Sequence, residues 1–344
     1  MSSPTDSLML QEALSAADCV ALQLANDVEP YAALGRRLRA TPFHNAVTVA
    51  RGSSDHACAY LGYLIMARLG KLVTSLPMSL VTLYKSPLKT EGLLAISVSQ
   101  SGQSPDVVEP IHYFRDGGAA TVALVNDIDS PLARAAEWAL PLRAGREQSV
   151  AATKSFITSL VAGARLVAEW QEDAELKAAL HALPDALRRA ARADWSKAIE
   201  VLAPARNIMV VGRGISFPIA LEAALKFKET SALQAEAFSG AEIKHGPMAL
   251  IDEGYPLLIF ATRGPAQAGL IALAEEMRGR GARVLLAAPE DVPSRDLDLP
   301  VASHPDLDPI AAIQAFYVMA AQLSKARGLD PDKPRHLSKV TKTQ

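Results

Sequence analysis

The chain has 344 residues, 49% of them hydrophobic and 21% charged, with a formal net charge of −2. Those proportions fit a globular protein long enough for more than one core. Near-neutral charge without a basic block argues against nucleic acid as a partner. The two cysteines, Cys19 and Cys58, fit no metal or redox spacing and suit a reducing compartment. The seven histidines are scattered, with no pair at ligand spacing, so neither a metal nor another cofactor is expected. Met1-Ser-Ser-Pro-Thr-Asp lacks the basic start and apolar core of a signal peptide. No apolar run approaches the ~18 residues of a spanning helix. The expectation is a cytoplasmic protein without a membrane partner.

Residues 7–40 read as two helices, with apolar positions at Leu8, Leu10, Leu14, Val20, Leu22 and Leu24 ahead of Glu29-Pro30. Strand and helix patterns then alternate. Strands are expected at 46–50, 72–75, 93–98 and 120–126, and helices at 55–69 and 104–115. Such alternation implies a parallel sheet with helices on both faces. A helical stretch covers 153–170, and 173–202 continues helical with Pro184 and Pro204 as punctuation.

Residues 97–106 read Ser-Val-Ser-Gln-Ser-Gly-Gln-Ser-Pro-Asp, between an apolar strand and an amphipathic helix. Ser104 suits the N-cap, Pro105 the first helical position and Asp106 the positive end of the helix dipole. Hydroxyls gathered where unpaired N–H groups point outward attract an anion, most often a phosphate. The plainer reading is an ordinary capped loop. Arg51-Gly52-Ser53-Ser54 also follows a strand and opens a helix. In a doubly wound sheet it would face the 99–104 loop across a crevice at the carboxyl ends of the strands. Neither loop has a lysine, and no G-x-x-x-x-G-K is present, so a nucleotide P-loop is excluded. A neutral cradle suits a sugar phosphate.

The pattern then repeats. Val49-Ala50-Arg51-Gly52-Ser53-Ser54 resembles Val211-Gly212-Arg213-Gly214-Ile215-Ser216, 162 positions later (213 − 51). Leu93-Leu94-Ala95-Ile96 resembles Leu257-Leu258-Ile259-Phe260, and Gly118-Ala119-Ala120-Thr121-Val122 resembles Gly281-Ala282-Arg283-Val284-Leu285, at offsets of 164 (257 − 93) and 163 (281 − 118). Two copies of one α/β domain are therefore expected. At the position of the hydroxyl loop the second copy reads Ala261-Thr-Arg-Gly-Pro-Ala266, so only the first copy keeps the phosphate cradle.

In the second copy Glu222, Lys226 and Glu229 share one helix face at i, i+4 and i+7. A surface salt-bridge ladder explains that spacing without any chemistry. His245 precedes Gly246-Pro247 on a bent loop that could hold an imidazole exposed.

Taken in order, Gly52-Ser53-Ser54, Ser99-Gln100-Ser101-Gly102, Ala151-Ala152-Thr153-Lys154, Ala224-Leu-Lys-Phe-Lys-Glu229, Glu242-Ile-Lys-His-Gly-Pro247 and Asp332-Lys-Pro-Arg-His-Leu-Ser-Lys339 form a set. The set closely resembles the isomerase half of glucosamine-6-phosphate synthase, built from two sugar isomerase (SIS) domains. The resemblance covers nearly all of the chain beyond about residue 40 and implies an α/β protein of two tandem SIS domains. Each would be a parallel sheet flanked by helices on both faces. The layout expected is a helical segment at 1–40, a phosphate-binding domain at 41–170, a helical linker at 171–204, a second domain at 205–328 and a closing tail at 329–344.

Carried over by residue, the resemblance implies a phosphate site of Ser54, Ser99, Gln100, Ser101 and Ser104. Gly52, Ser53, Val150 and Ala151 would line the sugar. Glu229 would move a proton between C1 and C2, with Lys226 assisting near the hydroxyls. His245 would open the ring, supplied by the neighbouring subunit of a homodimer. Lys339 would approach the carbonyl and could form a Schiff base. Enediol or enamine chemistry needs one base able to return the proton it takes, which suits Glu229. Ala152 in place of a serine, His336 in place of Asn and the residues after Lys339 depart from the synthase.

The chain starts only some 40 residues before the first strand, without the glutamine-hydrolysing domain of the synthase. The implied reaction is therefore deamination of glucosamine 6-phosphate to fructose 6-phosphate and ammonia. Alternatives are a fructosamine-6-phosphate deglycase, a galactosamine-6-phosphate deaminase-isomerase, or a non-catalytic sugar-phosphate sensor. A sensor would carry a helix-turn-helix module, for which residues 1–40 are too short and too acidic.

Overall fold

The computed structural model describes residues 6–339, so residues 1–5 of the expected N-terminal segment and 340–344 of the expected tail lie outside the described residues. The helices are α1 (Leu8–Ala25), α2 (Val28–Ala40), α3 (Ser53–Leu69), α4 (Ser79–Thr82), α5 (Pro105–Asp116), α6 (Pro131–Ala135), α7 (Lys154–Gln171), α8 (Ala174–Ala190), α9 (Ser196–Leu202), α10 (Phe217–Ser231), α11 (Gln267–Gly279) and α12 (Asp308–Ala326). The strands are β1 (Asn45–Val49), β2 (Leu72–Ser75), β3 (Leu94–Ser99), β4 (Ala120–Val125), β5 (Trp138–Pro141), β6 (Asn207–Gly212), β7 (Gln234–Ser239), β8 (Pro256–Phe260), β9 (Arg283–Ala288) and β10 (Leu297–Asp298).

These elements divide into two compact units, one of residues 18–147, 154–181 and Lys339, the other of 6–17, 148–153 and 182–338. The first holds a five-stranded parallel sheet in the order β2-β1-β3-β4-β5. The second holds its counterpart in the order β10-β9-β8-β6-β7, the same winding read from the other edge. The duplication expected from the sequence is therefore present strand for strand.

Alternation along the buried strands divides each core into two layers. In the first unit Val49, Ala95, Ala123 and Val125 pack with Val107, Ile111 and Phe114 of α5 and Leu132 of α6, while α3 and α7 pack together. In the second, Met209, Val211, Leu257 and Ile259 meet Leu270, Leu273 and Met277 of α11. Phe227 of α10 and Phe316 of α12 meet edge to face at 5.0 Å, and Phe316 lies 6.3 Å from Phe260 of β8. Buried aromatic pairs of this kind add about 0.5–1.5 kcal/mol beyond the area they bury.

Three local expectations are corrected. Helix α1 has the length and mean hydropathy of a spanning segment, which the lack of an unbroken apolar run conceals. Gln11, Glu12, Asp18 and Gln23 interrupt it, and Met9, Ala13, Ala16 and Val20 are fully buried in the protein, as in a core helix. The helical stretch 173–202 breaks at 191–195 instead of at Pro184, which lies inside α8. No element is expected between 127 and 152, yet α6 and β5 form there. Each has four or five residues and includes a proline, Pro131 or Pro141, so neither shows a period and both read as breaks.

Candidate active site

In the first unit β1 and β3 are neighbours, and the chain winds outward from them in opposite directions. The turns after these strands therefore open into one crevice, the position where open α/β sheets bind ligands. Gly52 starts α3 from φ +54°, ψ −132°, a conformation costly for any residue with a Cβ, and so aims the Ser53–Ser54 turn. Gly102 has φ +62° in the loop after β3, and a Cβ there would come within 2.6 Å of the Ser130 Cβ. The loop passes α6 too closely for a side chain.

The Ser99 hydroxyl accepts the Gly102 N–H at 2.9 Å, and Ser101 accepts that of Gln103 at 3.4 Å. Ser104 occupies the N-cap with Pro105 behind it, as expected, but its hydroxyl makes no cap bond. The half-buried side chains of Ser54, Gln100 and Ser104 make no hydrogen bond among the described residues. Three polar groups at two helix N-termini thus retain their capacity for an anion. Arg51 is the component that sequence reasoning passed over. Its guanidinium reaches across to the buried Asp106 carboxylate at 3.2 Å and ties the two turns together. The pair adds no net charge, so the cradle stays neutral.

Lys339 also belongs to this unit. Its ammonium donates to Glu147 at 2.8 Å, and that fully buried carboxylate also accepts the Ser155 hydroxyl at 2.6 Å and the Ser155 N–H at 3.1 Å. Nothing local in the sequence marks Glu147, because its partner is 192 residues away.

In the second unit α10 carries Glu222, Lys226 and Glu229 on the face turned toward the protein interior. The spacing that suggested a solvent-exposed ladder is instead a buried array. Lys226 is 1% exposed, Glu222 0% and Glu229 20%. The Lys226 ammonium is ion-paired to Glu229 and lies 3.5 Å from Glu222. Tyr317 of α12 donates its hydroxyl to Glu222 at 2.9 Å, a contact between residues 95 apart that no motif announces. The outer side of Glu229 borders a cavity of about 610 Å³ with Lys228, Asp330, Lys333, Arg335 and Leu337.

Val150 and Ala151 lie on a short segment held in place by carboxylates. Glu12 accepts the N–H groups of Gln148 and Ser149, and Val150 N–H donates to the Asp332 carbonyl at 3.4 Å. The Asp332 side chain takes the N–H groups of Leu8 and Met9 at 2.8 Å each, fixing the tail on the start of α1. His245 is exposed on the turn Glu242–His245 and makes no side-chain hydrogen bond or ion pair among the described residues. No three His, Cys, Asp or Glu side chains are grouped to hold a metal among those residues.

The serine-bearing turns and the buried array thus lie on equivalent windings of a duplicated α/β unit, and the SIS domain family matches residues 42–168 and 201–290. The chain belongs to the SIS domain family. It is 35% identical over 314 residues to the glutamine–fructose-6-phosphate aminotransferase (isomerizing) of Aeropyrum pernix, covering 85% of this chain and 50% of that protein. The chain spans about half the length of the curated relatives it matches. Among solved structures it superposes on a Silicibacter pomeroyi protein provisionally described as a phosphosugar isomerase. That match has TM-score 0.90 and 40% identity, and covers 95% of this chain and 100% of the other. A glucosamine-6-phosphate deaminase from Thermotoga maritima shares the SIS fold at TM-score 0.79 and 23% identity, over 98% and 100% of the two chains.

Proposed function

We propose that this SIS protein is an aminosugar-phosphate deaminase that converts glucosamine 6-phosphate and water to fructose 6-phosphate and ammonia. The observation that carries the proposal is Glu229, anchored inward on a buried ammonium and bordering a cavity large enough for a phosphosugar. A general base must be fixed yet reachable, and Glu229 meets both conditions. In this reading Ser54, Ser99, Gln100, Ser101 and Ser104 hold the phosphate, and Gly52, Ser53, Val150 and Ala151 line the sugar. His245, supplied by a second copy of the chain, opens the ring. Glu229 takes the C2 proton and returns it to C1, with Lys226 beside it, leaving an imine at C2 that water hydrolyses. Lys339 is the amine that can condense with the sugar carbonyl, with Glu147 placed to receive its proton. Two cysteines at no redox or metal-ligand spacing support a reducing, cytoplasmic setting.

A second reading is a fructosamine-6-phosphate deglycase, whose substrate carries an amino acid on its amine. Lys228, Lys333 and Arg335 around the cavity favour it, since they could pair with that carboxylate. The test is ammonia or amine release from glucosamine 6-phosphate, galactosamine 6-phosphate and a fructosamine 6-phosphate, by wild type and Glu229→Gln. The expected result is turnover of the first substrate by wild type and none by the variant. Release from none of the three would sink both readings.

A further inference from the structure

Residues 6–17 and 148–153 belong to the second unit, although the chain on either side of 148–153 belongs to the first. The bonds that hold them there form a closed ring through three segments distant in sequence. Residues 148–153 are neither helix nor strand, so their amides have no ladder partners and must be satisfied from elsewhere. The buried Glu12 carboxylate takes two in a row, one oxygen accepting the Gln148 N–H and the other the Ser149 N–H at 3.2 Å. The Asp332 carbonyl takes the next, that of Val150, at 3.4 Å. Asp332 then returns to α1, because its two carboxylate oxygens accept the Leu8 and Met9 N–H groups. Its charge sits at the positive end of that helix dipole. Glu12 lies about one turn further along α1, which closes the ring.

Backbone bonds hold this segment. The fully buried Ser149 hydroxyl has no hydrogen-bond partner among the described residues and so does nothing to fix it. The ring meets the candidate site at two places. Val150 and Ala151 stand where the sugar is read to lie. Asp332 sits between Asp330 and Lys333, which line the cavity of about 610 Å³ beside Glu229.

We propose that Glu12 is a positioning residue that holds the sugar-lining segment, and that the ring through Asp332 makes this segment and the cavity-lining tail move as one. The inference rests on the reading of Val150 and Ala151 as a sugar wall. A carboxylate offers each N–H its own oxygen, whereas the carboxamide of glutamine has one acceptor and two donors. Glu12→Gln therefore turns a donor toward a backbone N–H and opens the ring at that link. Contacts made alike to the bound sugar and to the transition state change KM and spare kcat.

The test uses full-length wild type, Glu12→Gln, Asp332→Asn and Ser7→Ala. Calorimetric titration measures binding of fructose 6-phosphate and of inorganic phosphate, and mass spectrometry follows hydrogen exchange. Ser7 accepts the Leu10 N–H at 3.4 Å on the same turn of α1 but lies outside the ring, so its variant reports helix stability. Glu12→Gln is expected to weaken fructose 6-phosphate about tenfold, leave inorganic phosphate within twofold, and raise KM with kcat within threefold. Exchange is expected to rise at 148–151 and, through the ring, at 329–338. Asp332→Asn is expected to raise exchange at 148–151 in turn, and carries the test if Glu12→Gln does not fold. If wild type binds no fructose 6-phosphate, the reading of the sugar wall fails and the inference with it. If wild type binds it while Glu12→Gln binds within twofold, or keeps wild-type exchange at 329–338, the inference alone is overturned. Equal losses in Ser7→Ala, or matched weakening of both ligands in Glu12→Gln, would make the role structural and overturn it as well.

Discussion

Arg51 Nη2 lies 3.2 Å from the Asp106 carboxylate and so joins the turn after β1 to the first turn of α5. The aspartate is buried and the arginine is 56% exposed. The link therefore matters less for stability, which solvent screens, than for the spacing of two serine-bearing turns. Asp106→Asn is expected to raise KM for the phosphosugar about tenfold, the effect of about 1.4 kcal/mol, with kcat within threefold. Steady-state kinetics and calorimetric titration with inorganic phosphate check it. Unchanged phosphate affinity would show that the two turns do not act as one cradle.

Gly102→Ala attacks the same loop through its backbone. The position has positive φ, and the new methyl would press on Ser130, whose hydroxyl caps α6 by accepting the Ala133 N–H. A cost of about 1–3 kcal/mol is expected from strain and displacement, together with loss of phosphate binding. Thermal melts with and without phosphate distinguish the two effects, since only a wild-type loop is stabilised by the ligand.

Asp332→Ala should free the tail from the start of α1. Losing a carboxylate that accepts two N–H groups there costs about 0.5–2 kcal/mol. Hydrogen exchange of residues 329–338 is expected to rise. With Lys339 as the working amine, kcat falls as the tail loosens. Tail exchange at the wild-type rate would contradict the anchoring role.

Acid stability offers a test remote from the candidate site. Burial alone would raise the Asp296 carboxyl, but the Leu286 N–H, Lys197 and Arg278 together hold it below the usual value. A carboxyl depressed in the folded state contributes stability above its unfolded pKa of about 3.9 and loses it as pH falls through the lower folded value. Asp296→Asn should therefore be less stable than wild type at pH 7, with the gap closing below about pH 4. Urea melts across that range measure it, and a gap that is constant with pH would refute the charge-based account.

Elements long enough to show a period were legible in the sequence. The repeat at offsets near 162 anticipated two sheets of one winding, and the hydroxyl loop after β3 fell at the switch point of the first. Short pieces such as β5 and α6 escaped, because four or five residues carry no helical period and each contains a proline that reads as a break. Spacing placed Glu222, Lys226 and Glu229 on one face but could not say whether that face met water.

The order of strands and helices and the serine loop at a helix start follow from the sequence by itself, because they depend on neighbours a few residues apart, and the duplication follows from the likeness of the chain's two halves. Tertiary structure alone decided which charges are buried and what holds them. Tyr317 reaches Glu222 across 95 residues, Arg51 reaches Asp106 across 55, and Lys339 reaches Glu147 across 192. Burial and pairing at such separations arise from packing, and packing turns an ordinary helix-face spacing into an array whose charges water no longer screens.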